Sequence, residues 1–238
     1  MTPHERIFVA LDTPDADRAL ELAEQLAGRV GGFKIGLTAF VAQGPPLVRR
    51  LRELGHVIFL DLKLHDIPNT VEGAARAAAR LGVDFLTVHA LGGGAMIERA
   101  VAACTGEAAT QRPVVLAVTI LTSHDDADLR TIGIAGPAAA AVPRLAAIAR
   151  DAGAGGIVCS PLEIAAARSA HPDGVLFVPG IRPSGHGRSD DQARVATAAA
   201  AIAAGADRLV IGRPITDAPD PVAAVLSIVD EIAGVPRP

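Results

Sequence analysis

The sequence contains no tryptophan and no tyrosine, which argues against a base-stacking platform or a carbohydrate groove built on those rings. Cysteine is almost as scarce. Cys104 and Cys159 each sit in an apolar stretch with no second thiol near in sequence. That speaks against a disulfide framework or a Cys-rich zinc site, and fits a reducing, cytoplasmic setting. There is also no basic excess: 22 Lys and Arg face 26 Asp and Glu, a formal charge of −4. Little is left to hold a polyanion, so nucleic acid is not an expected partner. Apolar runs are short. The longest, such as 114–121, cannot span a bilayer, and the opening residues lack a basic region followed by a long apolar one. Neither a membrane nor a signal peptide is expected. Rossmann and Walker motifs are missing, and the three glycines at 92–94 read as a strand-to-helix turn.

What is present is alternation. Short β-branched runs occur at 7–11, 32–37, 57–62, 85–89, 114–119, 156–159, 175–179 and 209–212, with too little polar alternation for a solvent-facing sheet. Buried parallel strands read this way. Between them lie Ala-rich amphipathic stretches at 15–27, 70–81, 94–104, 138–152, 161–170, 192–204 and 220–233. In the first, Ala19, Leu20, Leu22, Ala23, Leu26 and Ala27 form one stripe, Pro14 sits where the first turn tolerates it and Gly28 follows the last turn. About eight such units predict a single (β/α)8 TIM barrel over 1–238, with a doubly wound open sheet as the rival. No linker or charge block marks a domain boundary.

Polar residues fall at the carboxyl ends of the strand-like runs, where barrel enzymes place their active sites. Asp12 ends the first run, Lys34 lies in the second, Asp61 and Lys63 end the third, and His89 ends the fourth. Thr122 and Ser123 follow the fifth, Arg182 the seventh, and Arg213 ends the eighth. The segment 61–70, AspLeuLysLeuHisAspIleProAsnThr, carries most information. Asp61 and Lys63 share a strand face, Asp66 lies just past the strand end, and Lys34 comes from the neighbouring strand. Two carboxylates and two ammoniums can therefore alternate in one pocket. Opposite charges ~4 Å apart attract by about 4 kcal/mol at an effective dielectric near 20, enough for each to keep the other ionised. Ordinary rim ion pairs are the alternative for this cluster, and helix capping is the alternative for Asp12. His65 and His89, with no carboxylate partner in sequence, read as hydrogen-bonded structural histidines.

Two glycine-bearing turns, around Pro179 to Gly187 and Ile211 to Thr216, follow the seventh and eighth runs, where barrels commonly bind phosphate. Arg182 and Arg213 add charge-assisted contacts. The composition of 183–191 suggests a loop that folds over a ligand, with Gln192 at its end.

Taken in order, ValAlaLeuAsp, PheLysIleGly, the 61–70 motif, ThrValHisAla, LeuThrSer, ProGlyIleArgPro, AspAspGln and IleGlyArgProIleThr resemble the orotidine 5′-phosphate decarboxylase family nearly end to end. That resemblance implies decarboxylation of orotidine 5′-phosphate to UMP and CO2, with no cofactor and no metal, in a homodimer with active sites at the subunit interface. It implies Lys63 as proton donor, flanked by Asp61. Asp66, Ile67 and Thr70 would reach the partner's site. Lys34 and Asp12 would hold the ribose, Thr122 and Ser123 the pyrimidine. Arg182, Gln192, Gly212 and Arg213 would grip the phosphate and Pro179 would also touch the substrate, while His186 and Arg188 receive no role. Magnesium-dependent sugar-phosphate enzymes of the same superfamily, and a non-catalytic nucleotide-binding barrel, are the competing readings.

Overall fold

The apolar runs become strands because they are too short for helices, and each finds a parallel neighbour on both sides. In the computed structural model, which describes residues 1–106, 112–182 and 194–236, the first four are β1 (Ile7–Ala10), β2 (Gly32–Ile35), β3 (Ile58–Leu64) and β4 (Phe85–His89). The other four are β5 (Val114–Val118), β6 (Gly156–Val158), β7 (Val175–Val178) and β8 (Arg208–Ile211). They pair in chain order, and β8 returns to β1 with Ile7 opposite Leu209, closing the sheet. An open doubly wound sheet would leave two edges, so the fold is a (β/α)8 barrel.

Ten helices surround it among the described residues. They are α1 (Ala16–Gln25), α2 (Leu37–Glu53), α3 (Pro68–Arg80), α4 (Gly94–Thr105) and α5 (Asp126–Thr131), then α6 (Ala138–Asp151), α7 (Ile164–Ala170), α8 (Ala198–Ala203), α9 (Arg213–Thr216) and α10 (Pro221–Ala233). None of these is long and apolar enough to cross a membrane. Three of them, α2, α5 and the short α9, have no counterpart in the sequence expectations, and α9 falls in a stretch read as a glycine-bearing turn. In α2, Gly44 at φ 61° breaks the helix, and Pro45 and Pro46 open its second piece. A Gly-Pro-Pro run reads as a loop until the first-turn tolerance for proline is applied. The helix expected over 192–204 begins only at Ala198. Ahead of it, Ala196 pairs instead with the segment that follows β7, through an isolated bridge to Ile181.

The barrel's interior is filled. Phe8, Phe59, Phe85 and Phe177 stack mostly edge-on, with ring centroids 4.9–6.4 Å apart, and Arg208 lies over the Phe8 ring. Leu116, Val118, Val158 and Val210 complete this cluster, while a larger one joins the strands' outer faces to the helices. A packed lumen leaves no space for ligand among the rings, so the open volume lies toward the carboxyl ends of the strands.

One clamp occurs twice, four strands apart. Asp84 accepts from Ile58 N (2.7 Å) and from Arg52 (2.9 Å), tying β3 to the turn before β4. Asp207 accepts from Leu176 N (2.9 Å) and from Arg168 (2.5 Å), tying β7 to the turn before β8.

Candidate active site

A cavity of about 690 Å³ opens over the lumen, within the usual range for small-molecule sites. Its wall takes Asp12 after β1, Lys34 from β2, Asp61 and Lys63 from β3, and Thr122 after β5. Pro179 and Arg182 after β7, and Gly212 and Arg213 after β8, complete the expected contributors. Residues from distant parts of the chain thus converge because each stands at the same end of its strand.

The charges alternate as a chain. Lys34 Nζ donates to Asp12 Oδ1 at 2.8 Å and lies 3.5 Å from Asp61 Oδ2. Lys63 Nζ donates to that same oxygen at 2.8 Å. Asp61 and Lys34 side chains are each only 9% exposed, whereas Lys63 keeps 33% of its side chain open. The deeper members are fixed and the last one faces the cavity. Burial pushes the Asp61 carboxyl upward, but the Lys34 and Lys63 ammoniums and the Thr87 hydroxyl more than offset this, so its pKa lies below the ordinary value.

Thr87 was not singled out from sequence. It is fully buried on β4, donates to Asp61 Oδ1 at 3.0 Å, and accepts from Lys63 N at 2.8 Å. A hydroxyl inside an otherwise apolar strand was the available signal, because a buried hydroxyl requires a partner. Lys63 N needs this acceptor because the register of β3 against β4 shifts between Leu60 and Leu64. Gly36 is a second omission. A Cβ there would stand 2.4 Å from Asp12 Oδ1 and 2.7 Å from Lys34 Nζ, so only glycine leaves room for that pair.

The two readings of Asp12 separate cleanly. The cap of α1 is Asp15, which accepts from the backbone of Asp17 and Arg18, and Asp12 is bound to Lys34 instead. His65 and His89 stack with centroids 5.4 Å apart, and His89 accepts from Leu91 N. Burial, then His65, Lys63 and His124, pushes the His89 imidazole down to about 4. It is therefore neutral near pH 7.

Asp66, Ile67, Thr70 and Ser123 do not line this cavity. Asp66 accepts from Ile67 N at 2.7 Å, and both residues are exposed, Ile67 at 67%. Gln192 and the loop expected over 183–191 lie outside the described residues, apart from which the wall also includes Arg18 and Cys159. Arg18 donates to the Thr216 carbonyl, and burial raises the Cys159 thiol to about 12, so it stays protonated.

Comparison with known proteins points one way. Residues 5–228 match the family described as orotidine 5′-phosphate decarboxylase / HUMPS. A protein of Anaeromyxobacter sp. (strain K) named orotidine 5′-phosphate decarboxylase is 56% identical over 229 residues, covering 96% of this chain and 98% of the relative. One of the same name from Halorhodospira halophila is 54% identical, with 96% of each covered. The crystal structure of orotidine 5′-phosphate decarboxylase from Lactobacillus acidophilus superposes with a TM-score of 0.82 at 38% identity, covering 95% of this chain and 98% of that one.

Proposed function

Because the chain belongs to the orotidine 5′-phosphate decarboxylase / HUMPS family, we propose that it removes CO2 from C6 of orotidine 5′-phosphate and protonates that carbon from Lys63, yielding UMP. The enzyme is then a carboxy-lyase of pyrimidine biosynthesis. The observation that carries the mechanism is the alternating chain Asp12–Lys34–Asp61–Lys63, buried at its two central members and open at both ends, with Lys63 presented to the cavity.

Breaking the C6–carboxyl bond leaves its electron pair in the ring plane, where the ring π system cannot delocalise it. Stabilisation must then come from charge already fixed beside C6. The Lys63 ammonium meets that need, since Asp61 holds it at 2.8 Å while a third of its side chain faces the cavity. It next gives its proton to C6 and recovers one from water, so one proton is consumed per CO2 released. Asp12 and Lys34 sit where they can receive ribose hydroxyls. Thr122 lies on the pyrimidine side, and Arg182, Gly212 and Arg213 on the phosphate side. Asp66, Ile67 and Thr70 act in the partner's site of a homodimer; their exposure and their absence from the lining of their own cavity support this.

Purified protein, pre-treated with EDTA, should convert orotidine 5′-phosphate with the absorbance change of orotidine-to-uridine nucleotide. Loss of all activity on EDTA treatment would favour the magnesium-dependent reading instead. Lys63→Ala should lower kcat by at least about four orders of magnitude while UMP binding, followed by calorimetry, persists. Substantial residual turnover would remove Lys63 from the proton-donor role.

A further inference from the structure

We infer that Arg194 is a positioning residue that locks the pyrimidine wall of the cavity to the phosphate wall. It lines neither wall itself. Its side chain is 9% exposed and that of its partner Glu163 is 6% exposed, with Nη1 donating to Glu163 Oε1 at 2.8 Å. The other Glu163 oxygen accepts from Ser160 Oγ, which in turn accepts from Leu162 N at 3.2 Å. The second arm of the guanidinium, Nη2, donates to the Leu121 carbonyl at 2.8 Å. Leu121 and the adjoining Thr122 belong to the cavity wall after β5.

Two residues beyond Arg194, the same segment is stitched to the opposite wall. Ala196 N donates to the Gly180 carbonyl at 3.1 Å, and Arg182 N donates to the Ala196 carbonyl at 2.9 Å. Gly180 and Arg182 also line the cavity. One short extended piece of chain therefore bonds to the wall after β5 through a guanidinium and to the wall after β7 through its backbone. Glu163, after β6 and itself held by Ser160, anchors the guanidinium between the two walls.

Stability alone does not call for this pair. Replacing a buried ion pair with apolar groups of similar volume is often neutral or stabilising. A guanidinium offers something apolar packing lacks, namely directional bonds to two elements at once. The inference rests on the proposed function, in which a nucleotide spans the cavity with its ring at Thr122 and its phosphate at Arg182. Binding at the remote phosphate helps the reacting ring only if the two walls keep a fixed spacing. Loosening the lock should therefore spare binding and damage turnover.

Two variants test this: Arg194→Lys, which can still meet Glu163 but loses the fork, and the double variant Glu163→Leu with Arg194→Met, which keeps the volume without charge. Both should melt within about 3 °C of the wild type. For orotidine 5′-phosphate, kcat should fall at least about tenfold with KM changed less than about threefold. For orotidine, which lacks the phosphate, kcat/KM should change less than about threefold. Equal losses on both substrates, an unchanged kcat, or a collapsed melt in both variants would overturn the lock. Amide hydrogen exchange gives a readout independent of turnover. Exchange at His124, whose amide donates to the same Leu121 carbonyl at 3.0 Å, should accelerate at least about tenfold in both variants, and unchanged exchange there also refutes the proposal. If the wild type fails to decarboxylate orotidine 5′-phosphate, the functional reading falls and the exchange result alone decides the lock.

Discussion

Among the described residues, Lys63 is the only one other than glycine with a positive φ, at 49°. A left-handed conformation costs an L-residue of order 1 kcal/mol and persists where its surroundings over-determine it. Here Thr87 takes the Lys63 amide and Asp61 takes the ammonium, so both ends of the residue are held. Face-sharing along a strand anticipated the Asp61–Lys63 pair, but not the shift in register that frees the Lys63 amide, because nothing in a two-residue spacing encodes a backbone torsion. At the other end of the charge chain the constraint is space. Gly36→Ala would drive a methyl into the Lys34–Asp12 contact. Displacing one charge-assisted bond of this kind is worth about 1.5–3 kcal/mol, so kcat/KM should fall by roughly 10- to 200-fold. Circular dichroism should show an intact fold. A variant within twofold of the wild type would mean that the pair relaxes without consequence.

At the scale of elements, strand ends explain what could be read in advance. All eight strands fall within two residues of the apolar runs, because buried parallel strands need uninterrupted apolar sequence. The charged side chains at their carboxyl ends stood out because burying them elsewhere is costly. What escaped was set by contacts between distant segments. Arg194 meets Glu163 across 31 positions and Leu121 across 73, and no local pattern links such partners. The same tertiary pull explains why the segment before α8 is extended despite its helical composition. The short α5 does carry a local signal, a reciprocal cap between Asp125 and Asp128. The wall proposed to bind phosphate gives a prediction at this scale, since Gly212 and Arg213 turn from β8 into α9 at the cavity wall. Removing a charge-assisted guanidinium contact costs about 2–3 kcal/mol. Arg213→Ala should thus lower kcat/KM for orotidine 5′-phosphate by roughly 30- to 200-fold yet leave that for orotidine nearly unchanged. Equal losses on the two substrates would remove Arg213 from the phosphate grip.

For the whole molecule, the question is which chain Asp66 serves. Within one protomer it caps Ile67 N and stands outside the cavity. Around it, three consecutive strand–helix units expose apolar side chains: Leu37 at 54%, Val41 at 80%, Ile67 at 67% and Leu91 at 42%. Burying such groups against a second copy is favourable by roughly 25 cal/mol per Å² of apolar surface, and a two-fold interface would carry Asp66, Ile67 and Thr70 across reciprocally. A mixing experiment decides between crossing and self-service. In the proposed dimer, Lys63→Ala and Asp66→Ala chains should each be nearly inactive on their own. If Asp66 crosses, random exchange of subunits makes half the dimers mixed, and one site of each mixed dimer receives an intact Lys63 from one chain and an intact Asp66 from the other. Activity should then recover to about a quarter of the wild-type value. If Asp66 serves its own chain, every site in every mixture lacks one of the two residues, and mixing restores nothing.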